Sequence, residues 1–119
     1  MPAVFLNVEL KANRRVEVKA LLNSGAEDLD LVLPESLARY LGLKKEGSCD
    51  LLLFGRRRKT WTGKLEVSAI NPESGEKRKA EMRAVVLKDK EVDCVILGTE
   101  GQGKLKVIPD TVSGRPVFK

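Results

Sequence analysis

The polar residues best placed for chemistry follow directly on an apolar run. Ala20-Leu21-Leu22 leads into Asn23-Ser24-Gly25-Ala26, and Glu27, Asp28 and Asp30 come next. Small, turn-favouring residues at the end of a hydrophobic segment mark a tight loop. The Asn23 amide can donate and accept hydrogen bonds, but it cannot ionise or take a proton from water. Ser24 offers a hydroxyl with no histidine to activate it, because the chain contains none. Histidine triads and histidine metal clusters are therefore excluded. Two cysteines, Cys49 and Cys94, are too few for a four-ligand zinc site and read as small buried residues rather than a disulfide. Glu27, Asp28 and Asp30 suggest a cation site only until alternation is considered, since an extended segment splits them between two faces. No metal and no cofactor is expected.

The elements that must hold this loop are mostly strands. Val4 to Lys11 alternates, with Val4, Leu6, Val8 and Leu10 on one face, and Val16 to Leu22 returns after a turn at Arg14-Arg15. Such a pair is a hairpin with a buried exit. Leu29 to Leu33 predicts a third strand. Pro34-Glu35-Ser36 then opens a helix to about Leu41, capped by Gly42, with Leu37, Tyr40 and Leu41 on one face. Asp50 to Phe54 and Thr60 to Ile70 read as the arms of a protruding hairpin with the polar tip Gly55-Arg56-Arg57-Arg58-Lys59. After the turn Asn71 to Gly75, strands are expected over Ala80 to Leu87, Val92 to Leu97, Leu105 to Ile108 and Arg115 to Phe118. The class is mainly β: one domain over 1–119, with a closed, barrel-like sheet and one short helix.

In this order the segments resemble a known family. Leu21-Leu22-Asn23-Ser24-Gly25-Ala26 is similar to the apolar-apolar-Asp-Ser/Thr-Gly-Ala loop of aspartic peptidases, and Val95-Ile96-Leu97-Gly98 to their second motif. The helix Glu35 to Leu43 resembles that of the single-lobe, retroviral-protease-like members of cellular and archaeal kind. The resemblance spans nearly the whole chain. It implies an acid-protease lobe whose hairpin is a flap, and a peptide or unfolded protein as substrate. It further implies catalytic positions at Asn23, Ser24 and Gly25, and substrate-binding positions at Ala26, Glu27, Asp28, Phe54, Gly55 and Ile96.

Peptide hydrolysis in that family needs two carboxylates sharing a site, one ionised to activate water and one protonated to polarise the scissile carbonyl. This chain has one such loop. Asp110-Thr111 begins like a second copy, but Val112 stands where glycine is required. The second loop must then come from a second chain, in a homodimer with its two-fold axis through the site. The terminal strands, apolar at Val107, Ile108, Val117 and Phe118, are either that interface or core. The dyad position itself is Asn23, so the resemblance implies a fold kept and a catalysis lost. Two explanations stand open: an altered peptidase, or a natural pseudo-enzyme that only binds peptides. The intact Ser24, Gly25 and Ala26 favour alteration.

The net charge is +5, with basic clusters at Arg14-Arg15, Arg56 to Lys59 and Lys77-Arg78-Lys79. Nucleic-acid binding would call for aromatics interleaved with these residues, and Trp61 alone lies near a basic run, so nucleic acid is not the expected partner. No apolar run approaches the roughly 20 residues of a membrane span, and no secretory signal is evident at the N-terminus. Cytoplasmic residence is the expectation.

Overall fold

The computed structural model describes residues 3–53 and 55–119. These form nine strands and two helices. β1 (Phe5–Lys11) and β2 (Arg15–Leu22) are a hairpin in which Val8 faces Val18. The alternation read from the sequence sets their faces, since Val4, Leu6, Val8 and Leu10 are all buried.

Beyond the hairpin the sheet closes on itself. β2 runs parallel to β7 (Val95–Leu97), and β7 lies antiparallel to β3 (Leu31–Pro34). β3 is parallel to β6 (Lys77–Leu87), and β6 is antiparallel to the long β5 (Arg56–Ile70). β5 then returns to β1 through Leu10 opposite Val67, completing a closed barrel of six strands. β4 (Gly47–Leu53) lies outside the ring and pairs only with the first half of β5.

β3 and β7 are buried at every residue from Leu31 to Leu33 and from Val95 to Leu97, because both faces of the sheet are covered there. Leu31, Leu33, Val95 and Leu97 point into the main core, while Val32 and Ile96 join Ala26, Leu87 and Val92 in a second cluster on the other face.

Helix α1 (Glu35–Leu41) buries Ala38 and Leu41 and ends at Gly42 in the left-handed conformation, φ 69°. Pro34 supplies no side-chain cap. Instead the Asp89 carboxylate accepts from the Ser36 N–H at 2.9 Å, and that bond holds the Asp89 carboxyl below its ordinary value. Tyr40 does not share the buried face: it is half exposed with the Arg14 guanidinium over its ring, and Ala38 takes the inward position.

Three further expectations are corrected. A second helix, α2 (Thr99–Leu105), follows β7 where none was expected; Gly101 and Gly103 make this a poor helical sequence. Arg56 to Lys59 belong to β5 rather than to a tip loop, since Arg56, Arg57 and Arg58 pair with Leu53, Leu52 and Leu51. Cys49 and Cys94 are half-buried rather than buried.

The chain finishes in a separate ribbon of β8 (Val107–Asp110) and β9 (Arg115–Phe118). Val107 is core, whereas Ile108 and Val117 are exposed. Among the described residues no helix is long and apolar enough to cross a membrane.

Candidate functional site

The Asn23 loop is built on the end of β7. Leu22 is the last residue of β2 and lies beside Leu97 in the parallel ladder. Asn23 extends that ladder by one bond, its N–H donating to the Leu97 carbonyl at 3.2 Å. The same carbonyl accepts from the buried Gln102 amide at 2.8 Å. The chain then turns. Asn23 Oδ1 accepts from the Gly25 N–H at 2.8 Å, and the Ala26 N–H reaches back to the Asn23 carbonyl at 3.3 Å. The carboxamide is thus oriented by its own loop. A Cβ on Gly25 would lie 3.1 Å from Asn23 Oδ1, so glycine leaves the side chain room.

Past Ala26 the loop is clamped to the segment that follows β7. The Ala26 carbonyl accepts from Thr99 N–H, the Leu29 carbonyl from Glu100 and Gly101, and the Asp30 carbonyl from Gly98. Thr99 Oγ1 accepts from the Asp28 N–H at 3.2 Å, with Asp28 itself at φ 60°. This approach is close enough to dictate residue type. A Cβ on Gly98 would lie 2.3 Å from the Leu29 carbonyl oxygen, and one on Gly101 2.3 Å from that of Asp30. Gly98 therefore does more than end a strand: two backbones meet there.

Asp30 anchors the loop from behind. Its Oδ2 accepts from the Arg83 N–H at 2.9 Å and pairs with Lys104 Nζ at 2.7 Å, with only 8% of its side chain exposed. Asp30 is thereby committed to the fold and turned away from Glu27 and Asp28, which are exposed.

Asn23, Ser24, Gly25, Ala26, Glu27 and Asp28 lie on one loop, and Ala26 shares the second cluster with Ile96. Leu51 of β4 packs on that same cluster, so the β4–β5 hairpin rises beside the loop. Opposite Leu51 in register stands Arg58, whose guanidinium is paired with the Glu91 carboxylate between β6 and β7. Gly55 turns the hairpin at φ 76° with open space around it. Phe54 lies outside the described residues. Trp61 packs partly against the main core.

Ser24 is exposed and forms no hydrogen bond among the described residues. Cys94 borders the second cluster. Burial, reinforced by Asp93, pushes its thiol up from the ordinary value, which keeps it protonated and a poor nucleophile at neutral pH. Sequence reasoning placed Arg58 in a basic tip rather than in a pair with Glu91, and it missed Thr99, Gln102 and Lys104. None carries a local motif, and only the crowding of glycines at 98, 101 and 103 hinted that backbones approach one another there.

No protein-family model matches the sequence, and no curated protein matches it. The functional reading therefore rests on residues and their geometry.

Proposed function

We propose that this chain is one lobe of an aspartic endopeptidase of the retroviral-protease-like kind, acting as a homodimer and held inactive here by Asn23. The observation that carries the reading is the Asn23 loop itself. An oriented carboxamide stands at a strand end, with its Oδ1 on the Gly25 N–H and the loop clamped to the segment after Ile96-Leu97-Gly98. A carboxylate of the same shape at position 23 would keep that bond. Across a two-fold axis, two such carboxylates share one proton. The ionised one takes a proton from water as its oxygen attacks the scissile carbonyl, and the protonated one donates to the carbonyl oxygen. Collapse of the resulting diol returns a proton to the leaving amine. An amide can perform neither transfer.

The β4–β5 hairpin is the flap of this reading. Its Leu51 contact with the cluster of Ala26 and Ile96 supports a position beside the Asn23 loop, and closure over a bound peptide would exclude water. The exposed Ile108 and Val117 on the terminal ribbon support that ribbon as the dimer contact.

Asn23→Asp tests the proposal. This form should cleave an unfolded protein at acidic pH, with a bell-shaped pH dependence, and a statine-type inhibitor should block it. A folded Asp form that cleaves nothing would sink the peptidase reading. The alternative is a non-catalytic peptide-binding module, favoured by a fully formed loop around a residue unable to catalyse. It predicts that the natural Asn23 chain binds extended peptides and that its Asp form remains inert.

A further inference from the structure

A second feature contains none of the Asn23-loop residues and calls for no peptidase chemistry. Three separate segments bring cationic side chains to one open cavity of about 510 Å³. Lys77, Arg78 and Lys79 come from the start of β6, Lys104 and Lys106 from the end of α2, and Lys119 from beyond β9. The sole acidic lining residue is Glu76.

Two of these cations are already committed. Arg78 is paired with Glu76 at 2.7 Å and donates to the carbonyls of Leu105, Lys106 and Lys119. Its guanidinium is thus a rigid pin joining β6, α2 and the terminal ribbon, and it also lies over the Phe118 ring. Lys104 is paired with Asp30. The other four, Lys77, Lys79, Lys106 and Lys119, are exposed and have no ion-pair partner among the described residues.

Like charges gathered in a concavity repel one another and focus a positive potential. Here the gathering is not the accident of one basic stretch. It depends on the Arg78 pin and on Lys106 in the left-handed conformation at φ 55°, which turns the chain out of α2 beside β6. From this geometry we infer that the cavity is a binding site for a small ligand bearing two or more phosphate groups. Mobile ammonium groups suit such a ligand as point charges, and the volume falls in the usual range for small-molecule sites. The basic residues of the β4–β5 hairpin are no such gathering: Arg56, Arg57 and Lys59 all come from one stretch of β5.

Calorimetric titration of the full chain with tripolyphosphate, in low salt, tests the site. Saturable one-to-one binding is expected. The double variant Lys79→Glu, Lys106→Glu should weaken it by about tenfold or more, whereas Arg56→Ser with Arg57→Ser should leave it unchanged. All four side chains are exposed, and circular dichroism would confirm that both variants fold. Amide shifts in NMR should move at Lys77 to Lys79 and Gly103 to Lys106. The inference is overturned by an absence of saturable binding, by equal loss in the two variants, or by shifts confined to the hairpin. It is also overturned if only long nucleic acid binds and tripolyphosphate does not compete.

Discussion

Two loops of this molecule start alike and end differently. In one, Asn23 Oδ1 accepts from the N–H two residues on, at 2.8 Å. In the other, Asp110 Oδ1 accepts from the Val112 N–H at 3.0 Å, and its Oδ2 from the Ser113 hydroxyl at 2.9 Å. Both are side-chain-stabilised turns of the kind Asn and Asp favour. The Asp110 turn joins β8 to β9 and projects outward, with Val112 94% exposed. The Asn23 loop continues into backbone clamped to the residues after β7, with Ala26 buried in a cluster. The turn motif alone makes a hairpin tip. A second segment pressed against its far side makes a fixed platform.

The sharpest way to break this contrast is at the pressed side. Gly98→Ala places a methyl 2.3 Å from the Leu29 carbonyl and 2.7 Å from that of Ala26, and rigid backbone cannot yield as a side chain would. We expect a loss of about 3 kcal/mol in urea unfolding. Gly103→Ala, with open space around it, should be neutral or slightly stabilising.

Next in size is Asp30→Ala. It strips the Arg83 N–H of its acceptor and Lys104 of its partner, at an expected cost of about 2 kcal/mol. Gly25 amide exchange should quicken if the loop loosens with it.

A smaller effect concerns assembly. If two copies pair through this loop, Asn23→Asp should weaken the dimer at neutral pH by about tenfold, because two carboxylates would then face each other. Sedimentation of both forms would measure it, and tighter association of the Asp form would contradict the dyad geometry.

The smallest effect separates the loops by titration. The Ser113 hydroxyl, followed by the Val112 and Ser113 N–H groups, holds the Asp110 carboxyl below its ordinary value. A carboxyl lowered by folding stabilises the fold above its unfolded value, and that contribution disappears as pH falls through the folded one. The Val112 amide resonance should therefore shift in acid, and by more than that of Gly25, whose acceptor is a carboxamide until Asn23 is replaced by Asp. Ser113→Ala should move the Val112 transition up toward the usual carboxylate range.

Much of this architecture was legible beforehand because period-two alternation sets strand faces without help from distant residues. β1 and β2 follow it residue by residue. Strands were also readable over Leu29 to Leu33 and Val92 to Leu97, though the structure begins them later, at Leu31 and Val95. Helix α2 was hidden because Gly101 and Gly103 lower helix propensity, while the need for Gly101 lies across space at the Asp30 carbonyl. The run Arg56 to Lys59 read as a tip because charge usually marks solvent, yet its backbone pairs with Asp50 to Leu53. Within the site, the loop residues were readable from type and order. Their supports were not: Lys104 lies 74 positions from Asp30, and no local pattern encodes such a pair.

That separation bears on how the molecule reaches its native state. The β1–β2 hairpin closes through neighbours and can form early, whereas the Asp28–Thr99 bond joins residues 71 positions apart. Contacts so distant in sequence form slowly, because loop closure must precede the stabilisation they bring. Strand β2 can be in place while the Asn23 loop at its end still lacks a floor. On the ribosome, that floor emerges only after β7, so the loop acquires a fixed shape later than the strand that carries it.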